Sequence, residues 1–277
     1  MTERYIVGYD GSGPSRRALA WAIDRAARAL GSVLIVHVRR GPGRVTDAIG
    51  TSEGADDMVA RTAAEAQRRH PDVPISWEVL EGDTVSCLLS VADESDVLVL
   101  GTHKTGHLHG RSFGTTGLSL AVGAVCSVVV VPDVDLRFRR GIVAGVGTDP
   151  SAATVCETAA MEAERRGDEL VLVHAVDGQE EPVPLGTAGG RLQDEHPLVP
   201  VSCRTTRRAI APTLLDAALG HALLVIGAPH PSEVRVGHGS AVLHDVLINL
   251  TAPVLVARSR GERMVAGARI HHTKGIA

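Results

Sequence analysis

Apolar residues run along the chain in short unbroken blocks: YIV at 5–7, LIV at 34–36, VLVL at 97–100 and VVVV at 128–131. Blocks rich in Val, Ile and Leu, without polar alternation, are what parallel strands buried on both faces look like. Between the blocks the spacing turns helical. Ala18, Leu19, Ala22, Ile23, Ala26 and Leu30 share one face, with Arg16, Arg17, Asp24, Arg25 and Arg28 outside it. Ser12 suits the N-cap of this helix, and Pro14 fits its first turn. Further helices are predicted over 55–70, 83–95 and 115–125, and strands over 75–82, 96–101 and 127–131. Alternating strands and helices imply a parallel sheet covered on both faces. With right-handed crossovers this is a doubly wound, Rossmann-like α/β layer of five strands.

The pattern then repeats. "VGYDGSGPSRRALAWAIDRAARALGSVLIVHV" from Val7 aligns without a gap on "AGVGTDPSAATVCETAAMEAERRGDELVLVHA" from Ala144, so Gly8 falls on Gly145 and His37 on His174. "DVLVLGTHK" from Asp96 falls on "ALLVIGAPH" from Ala222, and "CSVVVVPD" from Cys126 on "APVLVARS" from Ala252. Two homologous five-stranded domains are expected, over 1–133 and 141–258, with a short charged linker, "VDLRFRRG", between them and a flexible tail over 259–277. The apolar last strands, 127–131 and 253–256, are the expected seam between the domains. Asp149, with Pro150 after it, is the expected cap of the second copy's first helix.

Composition narrows the function classes. The 277 residues include six aromatics, Tyr5, Tyr9, Trp21, Trp77, Phe113 and Phe138, so the core has to be aliphatic. A formal net charge of -4 gives no basic field for nucleic acid, and few rings are available for base stacking. Cys87, Cys126, Cys156 and Cys203 form no CxxC pair and sit in apolar-patterned segments, which reads as buried small hydrophobes in a reducing compartment. There is no signal-peptide pattern and no apolar run of membrane-spanning length, so a cytoplasmic protein without a membrane partner is expected. Thirteen histidines, among them His103, His107 and His109 in one segment, lack zinc-ligand spacing, and no metal site is assigned. GxSxG, paired-carboxylate and Walker A patterns are also missing, so a catalyst is not expected.

In such sheets ligands bind beyond the carboxyl ends of the strands, where the strand order reverses. Two segments qualify. "YDGSG" follows the first strand; Asp10 can accept from an adenine amino group or a ribose hydroxyl, and Gly11 and Gly13 let a ligand approach the backbone. Asp10-Gly11 equally suits a simple turn. In "LVLGTHKTGHLHGRSFGTTG", Gly101 ends a strand and Gly114, Thr115 and Thr116 open a helix whose free N–H groups favour an anion. Threonine caps also open unliganded helices. Together, a carboxylate on one side and N–H donors on the other suit a nucleotide.

These features resemble the universal stress protein family in its tandem form. The likeness rests on "IVGYDGS" followed by "SRRALAWAI", on "LIVHV", "DVLVLG" and "SVVVVP", and it covers residues 4–133 and 141–258. Nucleotide-binding members carry GxxG, nine residues, then G[ST]; this chain reads Gly101-xx-Lys104, nine residues, Gly114-Thr115. The resemblance implies that Gly8, Tyr9 and Asp10 face an adenosine and that Val38 offers backbone to the adenine. It further implies that Gly101, His103 and Lys104 line a phosphate loop to which Gly114, Thr115 and Thr116 donate. The implied ligand is ATP, with Mg²⁺ able to accompany it. The implied function is a stress-response regulator acting through a homodimer and an unidentified protein partner. In the second copy Asp10 aligns with Gly147, and the loop reads Gly227-xx-His230, nine residues, Ser240-Ala241, so a degenerate site is expected there. A dimeric scaffold with both pockets degenerate remains the alternative, and a weak ATPase the third reading.

Overall fold

The computed structural model describes residues 3–39, 52–102, 115–176, 185–229 and 238–259. Within them the first half runs β1 (Arg4–Gly8), α1 (Gly13–Ala29), β2 (Ser32–Arg39), α2 (Ser52–Arg69), β3 (Ile75–Glu81), α3 (Thr84–Ser90), β4 (Asp96–Thr102), α4 (Thr115–Gly123) and β5 (Ser127–Pro132). The second half runs β6 (Ile142–Gly145), α5 (Ala152–Arg166), β7 (Leu170–Ala175), α6 (Leu185–Glu195), β8 (Val201–Thr206), α7 (Ile210–Ala218), β9 (Leu223–Gly227), α8 (His238–Ile248) and β10 (Val254–Ala257). Among the described residues no helix is long and apolar enough to cross a membrane.

All ten strands join one sheet in the order β3-β2-β1-β4-β5-β10-β9-β6-β7-β8. Each half is parallel within itself and shows the doubly wound order, reversing between β1 and β4 and again between β6 and β9. The halves meet where β5 pairs antiparallel with β10, through Val128↔Val256, Val129↔Leu255 and Val130↔Val254. These are the strands expected to form the seam. In the duplicated alignment Val128, Val129 and Val130 correspond to Val254, Leu255 and Val256. The pairing is therefore self-complementary about Val129 and Leu255, as an isologous contact requires, but inside one chain.

Two apolar layers flank the sheet. One lies under α1, α2, α5 and α6 and includes Tyr5, Val7, Ile35, Ala22, Ala159 and Leu172. The other lies under α3, α4, α7 and α8 and includes Ile6, Leu98, Leu120, Leu224 and Val246. Successive strand residues face opposite layers, which is why the sequence needs unbroken apolar runs.

The halves also meet through helices. α1 packs on α5, and α4 on α8. Arg25 of α1 and Glu162 of α5 form an ion pair with side chains only 5% and 4% exposed. Arg25 also lies 4.8 Å from the centre of the Trp21 ring. In the gapless alignment Arg25 falls on Glu162 itself. A symmetric contact would set like against like; divergence of the two copies has set a cation against an anion. Burial pushes the Arg25 guanidinium down to about 10. Beside it, Arg165 bridges Glu162 at 3.3 Å and Glu3 at 2.9 Å, and the Tyr5 hydroxyl donates to Glu3 at 2.7 Å.

Local expectations meet two corrections. Ser12 does cap α1, accepting from the Ser15 N–H at 3.3 Å, with Pro14 in the first turn. In the second half the cap position is Ser151, not Asp149. The Asp149 carboxylate instead accepts from Ser151 N–H at 2.8 Å, making a turn that delays the helix. The helix expected over 83–95 stops at Ser90. Beyond it the Asp93 N–H donates to Asp96 at 2.7 Å, and Arg4 reaches both the Val91 carbonyl, at 3.1 Å, and Asp96, at 2.6 Å. That polar turn satisfies the backbone better than another helical turn could.

Candidate functional site

At the carboxyl ends of β1 and β4, where the strand order reverses, lies a cavity of about 600 Å³. Its size falls within the range of small-molecule sites. Of the residues read from the sequence, Gly8, Tyr9, Asp10, Val38, Gly101 and Thr116 all line it. Thr115 begins α4, so the first N–H groups of that helix have no intrahelical acceptor. His103, Lys104 and Gly114 lie outside the described residues.

The Asp10 turn is fixed by its own hydrogen bonds. Asp10 Oδ1 accepts from Ser12 N–H at 3.0 Å, and Gly11 takes a φ of +76°, which an L side chain would strain. Burial alone would raise the Asp10 carboxyl. Hydrogen bonds from the Ser12 hydroxyl and N–H and from Ser15 outweigh it and hold the group below its ordinary value. Asp10 thus presents an exposed carboxylate at neutral pH. Behind it, His37 Nδ1 lies 2.8 Å from the Tyr9 carbonyl. A carbonyl only accepts, so Nδ1 carries hydrogen and Nε2 is left as the acceptor in the neutral ring. The Tyr9 side chain is buried in the layer under α1 and α2, with Thr62 Oγ1 3.5 Å from its hydroxyl.

Two glycines shape the walls for different reasons. A Cβ on Gly8 would meet Leu100 Cδ2 at 2.8 Å, the far end of a side chain, and the bare backbone leaves that space to the cavity. A Cβ on Gly101 would meet the Pro14 carbonyl oxygen at 2.2 Å and its carbon at 2.3 Å. Gly101 therefore lets β4 slide under the N-terminus of α1, a packing requirement as much as a ligand one.

The second half keeps the scaffold and changes the chemistry. His174 Nδ1 lies 2.8 Å from the Val146 carbonyl, repeating the His37 contact. Gly227 packs under Ser151 as Gly101 does under Pro14. At Gly147, where Asp10 would stand, a Cβ would meet Asp149 Oδ2 at 2.4 Å. Asp149 thus folds back over this position, already engaged by the Ser151 N–H.

Several lining residues were not read from the sequence as site residues: Ser12, Ser15, Thr84, Leu88, His244 and Leu247. Ser12 carried a signal, as the N-cap, and Thr84 another, at the start of a predicted helix. His244 and Leu247 carried none, because they come from α8 of the second half. Among the described residues no group of three or more His, Cys, Asp and Glu is placed to hold a metal ion. Cys126 and Cys156 are buried and Cys87 is half-buried, whereas Cys203 is exposed, against expectation, because it lies on edge strand β8.

Comparison with known proteins adds a lineage. Residues 1–132 match the sequence profile of the Universal stress protein family. Over most of its length the chain is similar to a universal stress protein of Mycobacterium bovis, 25% identical over 300 residues, spanning 91% of this chain and 94% of that one. A universal stress protein of Mycolicibacterium smegmatis is 26% identical over 289 residues, spanning 92% and 97%. The crystal structure of a universal stress protein from Archaeoglobus fulgidus matches with a TM-score of 0.68 over 94% of this chain and 97% of that one; at 12% identity the likeness speaks for the fold alone.

Proposed function

We propose, on the match of residues 1–132 to the universal stress protein family and the likeness of most of the chain to its mycobacterial members, that this is a stress-response regulator of that family whose first half binds an adenine nucleotide, ATP. One observation carries the reading. The Asp10 carboxylate and the N-terminus of α4 border the same cavity of about 600 Å³ at the point where the strand order reverses. The first offers an acceptor to ribose or adenine; the second offers N–H donors and a positive helix end to phosphate. Gly8 leaves room for a sugar, and Val38 at the tip of β2 presents backbone to a base. Gly101 and Thr116 line the phosphate end, beside Thr115. His103, Lys104 and Gly114 join them on the strength of the sequence alone; Lys104 would bring a cation to the polyphosphate. A magnesium ion would travel with the phosphates, since the described residues hold no carboxylate cluster for it.

The second half we read as a degenerate copy. Its Asp10 equivalent is Gly147, and Asp149 fills the space above it. Domains over 1–133 and 141–258 would divide the labour, one sensing and the other supporting. ATP spanning the Asp10 turn and α4 would favour one arrangement of these elements, which a protein partner could then read. Any homodimer must use a surface other than the β5 and β10 edges, because those edges already pair with each other.

Thermal unfolding with and without ATP tests the reading. At about one hundred times Kd, ATP stabilises a folded binder by about 2.7 kcal/mol, and Asp10→Ala should remove most of that gain. A melting temperature that ATP leaves unchanged would favour the pure scaffold; steady phosphate release would favour the ATPase.

A further inference from the structure

The cavity of the first half is not walled by the first half alone. α8 packs on α4 across the seam and places His244 and Leu247 in the wall. In the duplicated alignment His244 corresponds to Leu118 of α4, and both line this same cavity. The internal two-fold has brought equivalent positions of two helices to one space. One copy carries an ordinary apolar wall residue; the other carries an imidazole whose side chain is 45% exposed, with Asp245 as its helix neighbour.

The strand order says which end of the cavity His244 serves. Val38 and Asp10 sit on the β2–β1 side. Val130 of β5 and the first turn of α4, through Thr116 and Gly117, sit on the other side, next to β10 and α8. His244 therefore enters at the end where α4 presents its N–H groups, away from the carboxylate. With Nδ1 3.4 Å from the Asp245 carboxylate, the ring as an imidazolium adds its Nε2–H as a donor to a set already suited to an anion.

We propose that His244 is a phosphate-contacting residue supplied by the second half to the nucleotide site of the first. The inference rests on the nucleotide reading above. It gives the degenerate copy a share in binding, and makes the site a product of the tandem arrangement.

Calorimetric titration of the full chain with ATP and, separately, with adenosine tests it, using wild type, His244→Leu and His244→Gln. Leucine is the residue the equivalent position of α4 already carries. His244→Leu should weaken ATP roughly 10-fold, the scale of one hydrogen bond to a charged group, and leave adenosine binding unchanged. His244→Gln, which keeps a donor, should recover part of the loss, and it decides the matter should the leucine variant fold poorly. ATP affinity unchanged in both variants, or an equal loss for ATP and adenosine, would overturn the inference while leaving the nucleotide reading intact. A wild-type chain that binds neither ligand would overturn both.

Discussion

Replacing Glu162 with Gln would leave the Arg25 guanidinium buried between α1 and α5 without its counter-charge. The side chains are only 5% and 4% exposed, so water cannot take over the missing partner's role. Breaking a buried pair from one side costs about 3 to 5 kcal/mol, which for a chain of this size lowers the melting temperature by roughly 6 to 20 °C. Arg25→Glu should be at least as harmful, because it sets two carboxylates together beside Glu3. Exchanging both residues, Arg25→Glu with Glu162→Arg, restores an opposite-charge pair. Recovery should be incomplete, because the exchanged cation leaves Trp21, a contact worth about 0.5 to 2 kcal/mol, and comes to lie beside Arg165. Replacing both by apolar residues of similar volume should be neutral or stabilising. Thermal and urea unfolding of the wild type, Arg25→Glu alone, Glu162→Arg alone and the exchange yield a coupling energy. The exchange should be more stable than the summed losses of the singles by at least about 1 kcal/mol. Singles that simply add would show that the pair does not hold the halves in register.

Other expectations follow from single contacts. Gly101→Ala forces a Cβ into the backbone of Pro14 and should cost about 1 to 3 kcal/mol in chemical unfolding. Gly8→Ala meets only the side-chain ends of Leu100 and Leu88 and should melt near wild type, yet lose ATP-induced stabilisation. Burial, with Glu3 helping, pushes the Tyr5 hydroxyl up to about 12 from an ordinary 10. A raised value favours the neutral form in the fold. Its contribution is complete below about pH 10 and is lost as pH rises towards about 12, a change of roughly 2 to 3 kcal/mol. Tyr5→Phe should flatten that part of the alkaline stability profile and remove a late step from the tyrosinate absorbance titration; an unaltered profile would refute the assignment.

Where one local rule governs, the sequence announces the structure. Runs such as Val97–Leu100 and Val128–Val131 read as strands buried on both faces, and the matched blocks place their counterparts in the second half. Even the β5–β10 seam is legible, since two apolar last strands need covering. Asp10 and Thr116 could be brought to one crevice on paper because the doubly wound order puts β1 beside β4. Local pattern gives way where two rules compete. Asp149 looks like a cap, but its carboxylate reaches the N–H two residues on before a helix can start. The 83–95 segment has helical spacing until Arg4 claims Val91 and Asp96, residues distant in sequence. His244 was out of reach altogether, because only the internal two-fold delivers α8 to a cavity of the first half.

Equilibrium dialysis of the purified full chain against labelled ATP tests most directly whether one nucleotide site resides in the first half. Saturation near about one ATP per chain is predicted, with affinity falling at least roughly 10-fold in Asp10→Ala, in keeping with the loss of a hydrogen bond to a charged group. No retained ATP, or binding that Asp10→Ala leaves untouched, would contradict it.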